Sequence, residues 1–152
     1  MYVVKKVKLT PSLEDYLETI LLLERKNRVA RVKDIAEQLQ VQMPSVTGAL
    51  KTLRNKELIN YEKNSYISLT EKGLSVATAI ENRHDIILAF LEKILLLPSD
   101  EASDQACKIE HVITTETAQR LKNCTRYLED HFENGTLPDS PDWEAIISSN
   151  LP

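Results

Sequence analysis

With 152 residues, 42% of them hydrophobic, the chain is long enough for one large domain or two small ones with a real core, and its three glycines are too few for an all-β fold rich in tight turns. No run of about 18 apolar residues occurs, no apolar segment follows the basic first ten residues, and two cysteines make no disulfide framework, so no membrane span or signal peptide is expected and a reducing cytoplasm fits best. The net charge of −4 is unevenly split: residues 1–64 hold 12 Lys/Arg against 8 Asp/Glu and residues 65–152 hold 7 against 15, which reads either as a polyanion-binding head on an acidic body or as two differently solvated surfaces.

Residues 1–9 read as a short strand or an ordered arm. Thr10-Pro11 then starts a helix, Thr as cap and Pro at the first helical position, running to about Lys26 with Leu13, Leu17, Ile20 and Leu21 inward. A short helix over Ala30–Leu39 buries Val32, Ile35, Ala36 and Leu39. After a turn at Gln40–Met43, Pro44 opens a second helix through Lys56 with Val46, Leu50 and Leu53 inward. Two short helices joined by so short a turn make a helix-turn-helix, and Ala36, Val41 and Val46 supply the small residue and apolar anchors it needs. Leu58–Glu62 and Tyr66–Thr70 read as strands joined by the turn-forming Lys63-Asn64-Ser65, the wing of a winged helix-turn-helix.

A long helix is expected from Thr70 or Glu71 to about Leu97, with the stripe Ile80, His84, Ile87, Leu91 and Ile94. Another is expected from Ser99 to Thr114 and a third from Thr115 to Phe132, the last with Ala118, Leu121, Cys124 and Leu128 at helical spacing. The tail from Asn134 holds three of the six prolines and reads as ending in a short capped helix that exposes Trp143, Ile146 and Ile147. The expected fold is therefore mainly α. It comprises a winged helix-turn-helix DNA-binding domain with a small β-hairpin wing over residues 1–71, a helical metal-binding and dimerisation domain over 72–136, and a tail over 137–152.

The second helix of a helix-turn-helix enters the major groove, and its N-terminal residues reach base edges. Here these are Gln42, Pro44, Ser45 and Thr47: Gln suits adenine, Ser and Thr suit either base type, and Pro or a Thr methyl can touch a thymine methyl. Arg28, Arg31, Lys33, Lys51, Arg54 and Lys63 are candidate phosphate contacts, or ordinary solvated charges. Glycine inside a helix costs about 1 kcal/mol relative to alanine. For Gly48 two explanations stand open, close approach of the backbone to DNA and a packing need.

Cys107, Glu110 and His111 stand at i, i+3 and i+4 beside the apolar positions Ala102, Ala106, Ile109 and Ile113, so thiol, carboxylate and imidazole share a helix face. They are soft, hard and borderline metal donors. His84 interrupts an aliphatic row on a second helix, and Asp15 and Glu18 lie one turn apart on a third. Each has a bland alternative: acids near a helix start favour its dipole, a lone histidine can be hydrogen-bonded in a core, and a lone cysteine can be a small buried residue. Glu110 is harder to dismiss, because a carboxylate bordering a buried face is costly without a positive partner.

The chain resembles the diphtheria-toxin-repressor family of metal-dependent transcriptional repressors over roughly Leu9 to Phe132. The resemblance rests on Thr10–Ile20, Arg31–Ala36, Pro44–Thr47, Leu69–Gly73, Arg83-His84 and Cys107–His111, and it points to the short two-domain members near the manganese transport regulator branch. It implies a homodimer that binds a palindromic double-stranded DNA operator and represses metal-uptake genes when metal is plentiful. Carried over by position, the implied metal ligands are Asp15, Glu18, His84, Cys107, Glu110 and His111. The set is a hybrid: the manganese branch usually has a carboxylate at the position of Cys107, and the iron branch has Met at that of Asp15. Leu88 and Ser103 replace the carboxylate and histidine of the iron branch's second site, and Gly48 replaces a polar residue common in the recognition helix. Mn(II) or Fe(II) is the expected metal, with Zn(II) or Co(II) able to bind in vitro. No catalytic role is assigned: a two-metal hydrolase would leave the helix-turn-helix idle and lacks an obvious positively charged clamp. The standing alternative is a winged-helix regulator that senses a small organic ligand or is not gated by metal.

Overall fold

The computed structural model describes residues 8–62 and 65–133, and within the chain two compact units divide at Glu81/Asn82. Among the described residues, six helices and one two-stranded sheet follow in order: α1 (Pro11–Asn27), α2 (Val32–Leu39), α3 (Met43–Asn55), β1 (Ile59–Asn60), β2 (Ser68–Leu69), α4 (Glu71–Lys93), α5 (Ser99–Ile109) and α6 (Thr115–Glu133). The mainly helical class and the hairpin expected from the sequence are both present. The arm at 1–7, the turn residues Lys63 and Asn64 and the Trp143 tail lie outside the described residues.

In the first unit the Thr10 hydroxyl accepts from Leu13 N (3.3 Å), the cap that starts α1. Leu17 and Ile20 of α1, Ile35 of α2 and Val46, Leu50 and Leu53 of α3 are fully buried and form one core with Leu58, Ile67 and Ile80. Val32 and Leu39, expected to be buried, are only partly so and pack against its rim. The turn between α2 and α3 closes with Gln40 in the left-handed region (φ 54°) and Val41 N donating to Ala36 O (3.0 Å). Ile59 pairs with Leu69 and Asn60 with Ser68 in the antiparallel wing. Ala30, expected at the start of α2, instead bridges Ile67 in both directions (3.3 and 2.9 Å), so its backbone is claimed by the wing and α2 begins at Val32.

The start of α4 is locked to the wing's base. Thr70 N donates to Leu58 O (3.0 Å), its hydroxyl donates to Glu57 O (2.8 Å), and that hydroxyl accepts from Gly73 N (3.0 Å). A Cβ on Gly73 would lie 1.8 Å from Leu58 O, so only glycine lets these two segments meet.

The second unit packs Ile87 and Leu91 of α4 on Ala102 and Ala106 of α5, with Ile109, Ile113 and Leu121 at the margin. The sequence period carried α4 to Leu97, but the helix stops at Lys93: Leu96 adopts φ 55° and Leu97 N returns to Leu91 O (3.0 Å). Ile94 stays buried although it has left the helix. Likewise α5 stops at Ile109 rather than Thr114: the chain turns over residues 110–112, with Val112 N donating to Ile109 O (3.0 Å), before the Thr114 hydroxyl accepts from Thr117 N (3.1 Å) and caps α6. On α6 the expected apolar row is interrupted, since Cys124 is exposed and the buried position is Thr125, whose hydroxyl donates to Leu121 O (2.9 Å).

Candidate metal centre and nucleic-acid interface

Four of the expected donors gather within the second unit. Glu110 closes α5 in right-handed helical geometry (φ −56°, ψ −29°), so the face shared with Cys107 continues one residue past the regular helix. Its carboxylate is 1% exposed, and a charge so withdrawn from water needs partners. One oxygen, Oε2, lies 2.7 Å from His84 Nδ1 of α4. The other, Oε1, stands 3.7 Å from His111 Nε2. Cys107 Sγ is 3.8 Å from the same His84 nitrogen. Arg83, beside His84 on α4, donates from Nε to the backbone carbonyl of Glu110 (2.8 Å) and so fixes the end of α5. Two imidazoles therefore flank one buried carboxylate, with an exposed thiol beside one of them, all supplied by α4 and the α5 terminus.

Within the described residues no three His, Cys, Asp or Glu side chains form a ready-made metal-binding group. His84 Nδ1 and Glu110 Oε2 are hydrogen-bonded to each other. The donor set nevertheless fits a divalent transition metal. Neutral imidazole, carboxylate and thiolate are its ordinary ligands. Asp15 and Glu18 lie half-buried on α1 in the first unit, one turn apart as their spacing required.

Also in the first unit, Gln42, Pro44 and Ser45 are exposed at the start of α3, and Lys51 and Arg54 further along it. Thr47 is half-buried, with its hydroxyl donating to Met43 O (3.1 Å). Arg28 is exposed at the left-handed end of α1 (φ 65°). Arg31 and Lys33 are exposed at the start of α2, where Lys33 makes an i,i+4 ion pair with Glu37 (3.7 Å). The last basic candidate, Lys63, lies outside the described residues.

Sequence reasoning missed a groove of about 720 Å³ between the helix-turn-helix and the wing. It is lined by Arg31, Lys33, Met43 and Thr47 on one side and by Tyr61, Ser65 and Tyr66 on the other. Tyr66 is 56% exposed, and the Arg31 guanidinium stands 5.2 Å from its ring centroid. An aromatic ring and a cation held together in a basic groove can meet sugar and phosphate at once. The only sequence signal was strand alternation, which puts Tyr66 on the face opposite the buried Ile67.

Two family models match, one described as the iron dependent repressor N-terminal DNA binding domain over residues 8–66 and one as its metal binding and dimerisation domain over residues 70–139. The HTH-type transcriptional regulator MJ0568 of Methanocaldococcus jannaschii is 38% identical over 115 residues, spanning 75% of this chain and 92% of that protein. The HTH-type transcriptional regulator MntR of Bacillus velezensis is 35% identical over 121 residues, spanning 80% and 84%. Among solved structures, the manganese regulator SloR matches with a TM-score of 0.69 at 31% identity over 78% of this chain and 55% of its own; this chain thus spans just over half the length of SloR. ScaR with bound Zn2+ matches with a TM-score of 0.63 at 30% identity over 76% and 54%.

Proposed function

We propose, given that the chain belongs to the iron dependent repressor family, the family of the diphtheria toxin repressor, that it is a repressor whose homodimer binds a palindromic DNA operator when Mn(II) or Fe(II) is present, and so controls metal-uptake genes in the cytoplasm. The observation that carries the metal reading is the buried Glu110 carboxylate flanked by His84 and His111, with the Cys107 thiol beside His84. Those four, with Asp15 and Glu18 by sequence resemblance, are the proposed ligands. Carboxylates favour Mn(II) and the thiolate favours Fe(II), Zn(II) or Co(II), so a mixed set leans to the first two in a cell while permitting the others in vitro.

Bound there, the cation supplies positive charge that neutralises the acidic donors. The protein's own residues do the rest. Arg83 holds the Glu110 backbone, and His84 holds its carboxylate. The start of α3, with the exposed Gln42, Pro44 and Ser45 and the half-buried Thr47, reads base edges. Arg28, Arg31, Lys33, Lys51, Arg54 and Lys63 neutralise phosphates, which positions the protein without specifying sequence. The two recognition helices of a dimer serve half-sites about 34 Å apart or a multiple of that. A hundredfold gain in operator affinity on metal binding needs about 2.7 kcal/mol of coupling, well within what a transition-metal site provides.

A gel-shift titration against a selected operator, run separately with Mn(II), Fe(II) and Zn(II), tests the assignment. Glu110→Ala and His111→Ala are expected to remain folded dimers by sedimentation yet to lose the metal-stimulated increment in DNA binding. Undiminished stimulation in both variants would remove the site.

A further inference from the structure

Ala30 and Ile67 are both fully buried, and each donates its backbone N–H to the other's carbonyl (3.3 and 2.9 Å). The register of that antiparallel bridge sets Arg31 opposite Tyr66, with both side chains turned to the other face. Both are exposed there, and the Arg31 guanidinium stands 5.2 Å from the Tyr66 ring centroid. Among the described residues no carboxylate pairs with Arg31, whereas Arg25 pairs with Glu81, Arg120 with Glu116 and Lys33 with Glu37. The Arg31 cation is thus held by a ring, and its charge and N–H donors are left for another partner. The stacked pair lines the groove of about 720 Å³, which Met43 and Thr47 of α3 also line, and none of the described residues lining it is acidic.

We propose that this pair grips one deoxyribose-phosphate of the operator backbone beside the major-groove contact of α3, Tyr66 packing its ring on the sugar and Arg31 pairing with the phosphate. The inference rests on α3 being the recognition helix, as proposed above, and it adds Tyr66 to the DNA contacts. Charge and continuity identify the occupant. The groove is cationic, it adjoins the N-terminal residues of α3, and in a helix-turn-helix the first helix crosses the sugar–phosphate backbone. A sugar–phosphate offers both halves of what the pair binds, an apolar face for the ring and a negative charge for the guanidinium. The backbone bridge fixes the roots of both side chains before DNA arrives, so little ordering is left to be done on binding. Such a contact holds the duplex in register and carries no sequence information.

The test measures binding of the full-length protein with Mn(II) to an operator selected from a randomised pool and to a random duplex of the same length, over a range of salt. Tyr66→Ala is expected to lose about tenfold in affinity on both duplexes. Its salt dependence stays that of wild type, because no charge is removed. Tyr66→Phe keeps the ring and is expected to stay within about twofold of wild type. Arg31→Ala is expected to lower the slope of log affinity against log salt by about one. A neutral methylphosphonate placed at each backbone position in turn then locates the contact: at one position in each half-site it weakens the wild-type protein but not Arg31→Ala. The melting temperature of free Tyr66→Ala is expected to match that of wild type, since the ring is 56% exposed. The proposal is overturned if Tyr66→Ala binds both duplexes as wild type does, or loses affinity for the operator alone. It is overturned as well if Phe fails as Ala does, or if Tyr66→Ala melts below wild type, since the ring would then serve the fold. Failure of the wild-type protein to bind any duplex strikes instead at the reading of α3 itself, and so is distinguishable.

Discussion

Glu24 shows how one side chain can tie the wing to the body of the DNA-binding unit. It is half-buried on α1, and its Oε1 accepts from Leu69 N of β2 (3.2 Å). Burial pushes the carboxyl above its ordinary value, and the hydrogen bond from Leu69 offsets this only in part. A raised folded-state pKa means that the ionised form is disfavoured by folding, so the penalty is present above the folded pKa and vanishes as pH falls below the unfolded value. Glu24→Gln keeps an acceptor for Leu69 without the charge, and is expected to be more stable than wild type at pH 7 by a margin that closes as pH falls through the acid range. Glu24→Ala, which leaves the Leu69 amide unpaired, is expected to cost about 1 kcal/mol or more at either pH. Urea denaturation at pH 7 and pH 4 checks both. A Gln advantage that grew on acidification would contradict the assignment.

Among the elements, the helix starts other than that of α2 were legible, whereas the ends of α4 and α5 were not, for a physical reason. A start is marked by side-chain chemistry such as the Thr10 cap, Pro11 and Pro44. An end is usually marked by a glycine in the left-handed region. This chain gives that conformation to Arg28, Gln40, Glu57 and Leu96 instead, so nothing in the letters announced that α4 stops at Lys93. In the candidate site, spacing along the sequence set Cys107, Glu110 and His111 near one another at the end of α5, whereas the approach of His84 from α4 was signalled only by the aliphatic row it interrupts. The Arg31–Tyr66 groove was not legible, because it depends on how the wing folds back onto α2. Glycines carry their own element-scale prediction. Gly73→Ala must displace α4 from the Leu58 carbonyl, whereas at Gly48 there is open space. Gly73→Ala is expected to destabilise the first unit by about 2–3 kcal/mol, the upper part of the range for overpacking. Gly48→Ala, which removes a helix-interior glycine where nothing is in the way, should raise the thermal unfolding temperature while Gly73→Ala lowers it, and equal shifts would show that the contact at Gly73 relaxes without cost.

At the scale of the whole molecule the question is how many elements one cation engages. The second unit supplies His84, Cys107, Glu110 and His111 from α4 and the end of α5. Asp15 and Glu18 belong to α1 in the first unit, which also carries α3, the proposed recognition helix. A metal held by the second unit alone would stabilise that unit and leave DNA binding untouched, because a ligand shifts an equilibrium only through its differential affinity for the two states. A metal that also engages α1 must favour one arrangement of the DNA-binding unit over others. Asp15→Ala separates these cases. Saturating Mn(II) at about 100 times its dissociation constant should raise the stability of the wild-type protein by about 2.7 kcal/mol. If α1 supplies ligands, Asp15→Ala should weaken Mn(II) affinity at least tenfold by isothermal titration calorimetry and abolish metal-stimulated DNA binding, while binding without metal stays at the wild-type level. If instead Mn(II) affinity in Asp15→Ala stays within twofold of wild type, the cation rests on the second unit alone and the coupling to DNA must run by another route.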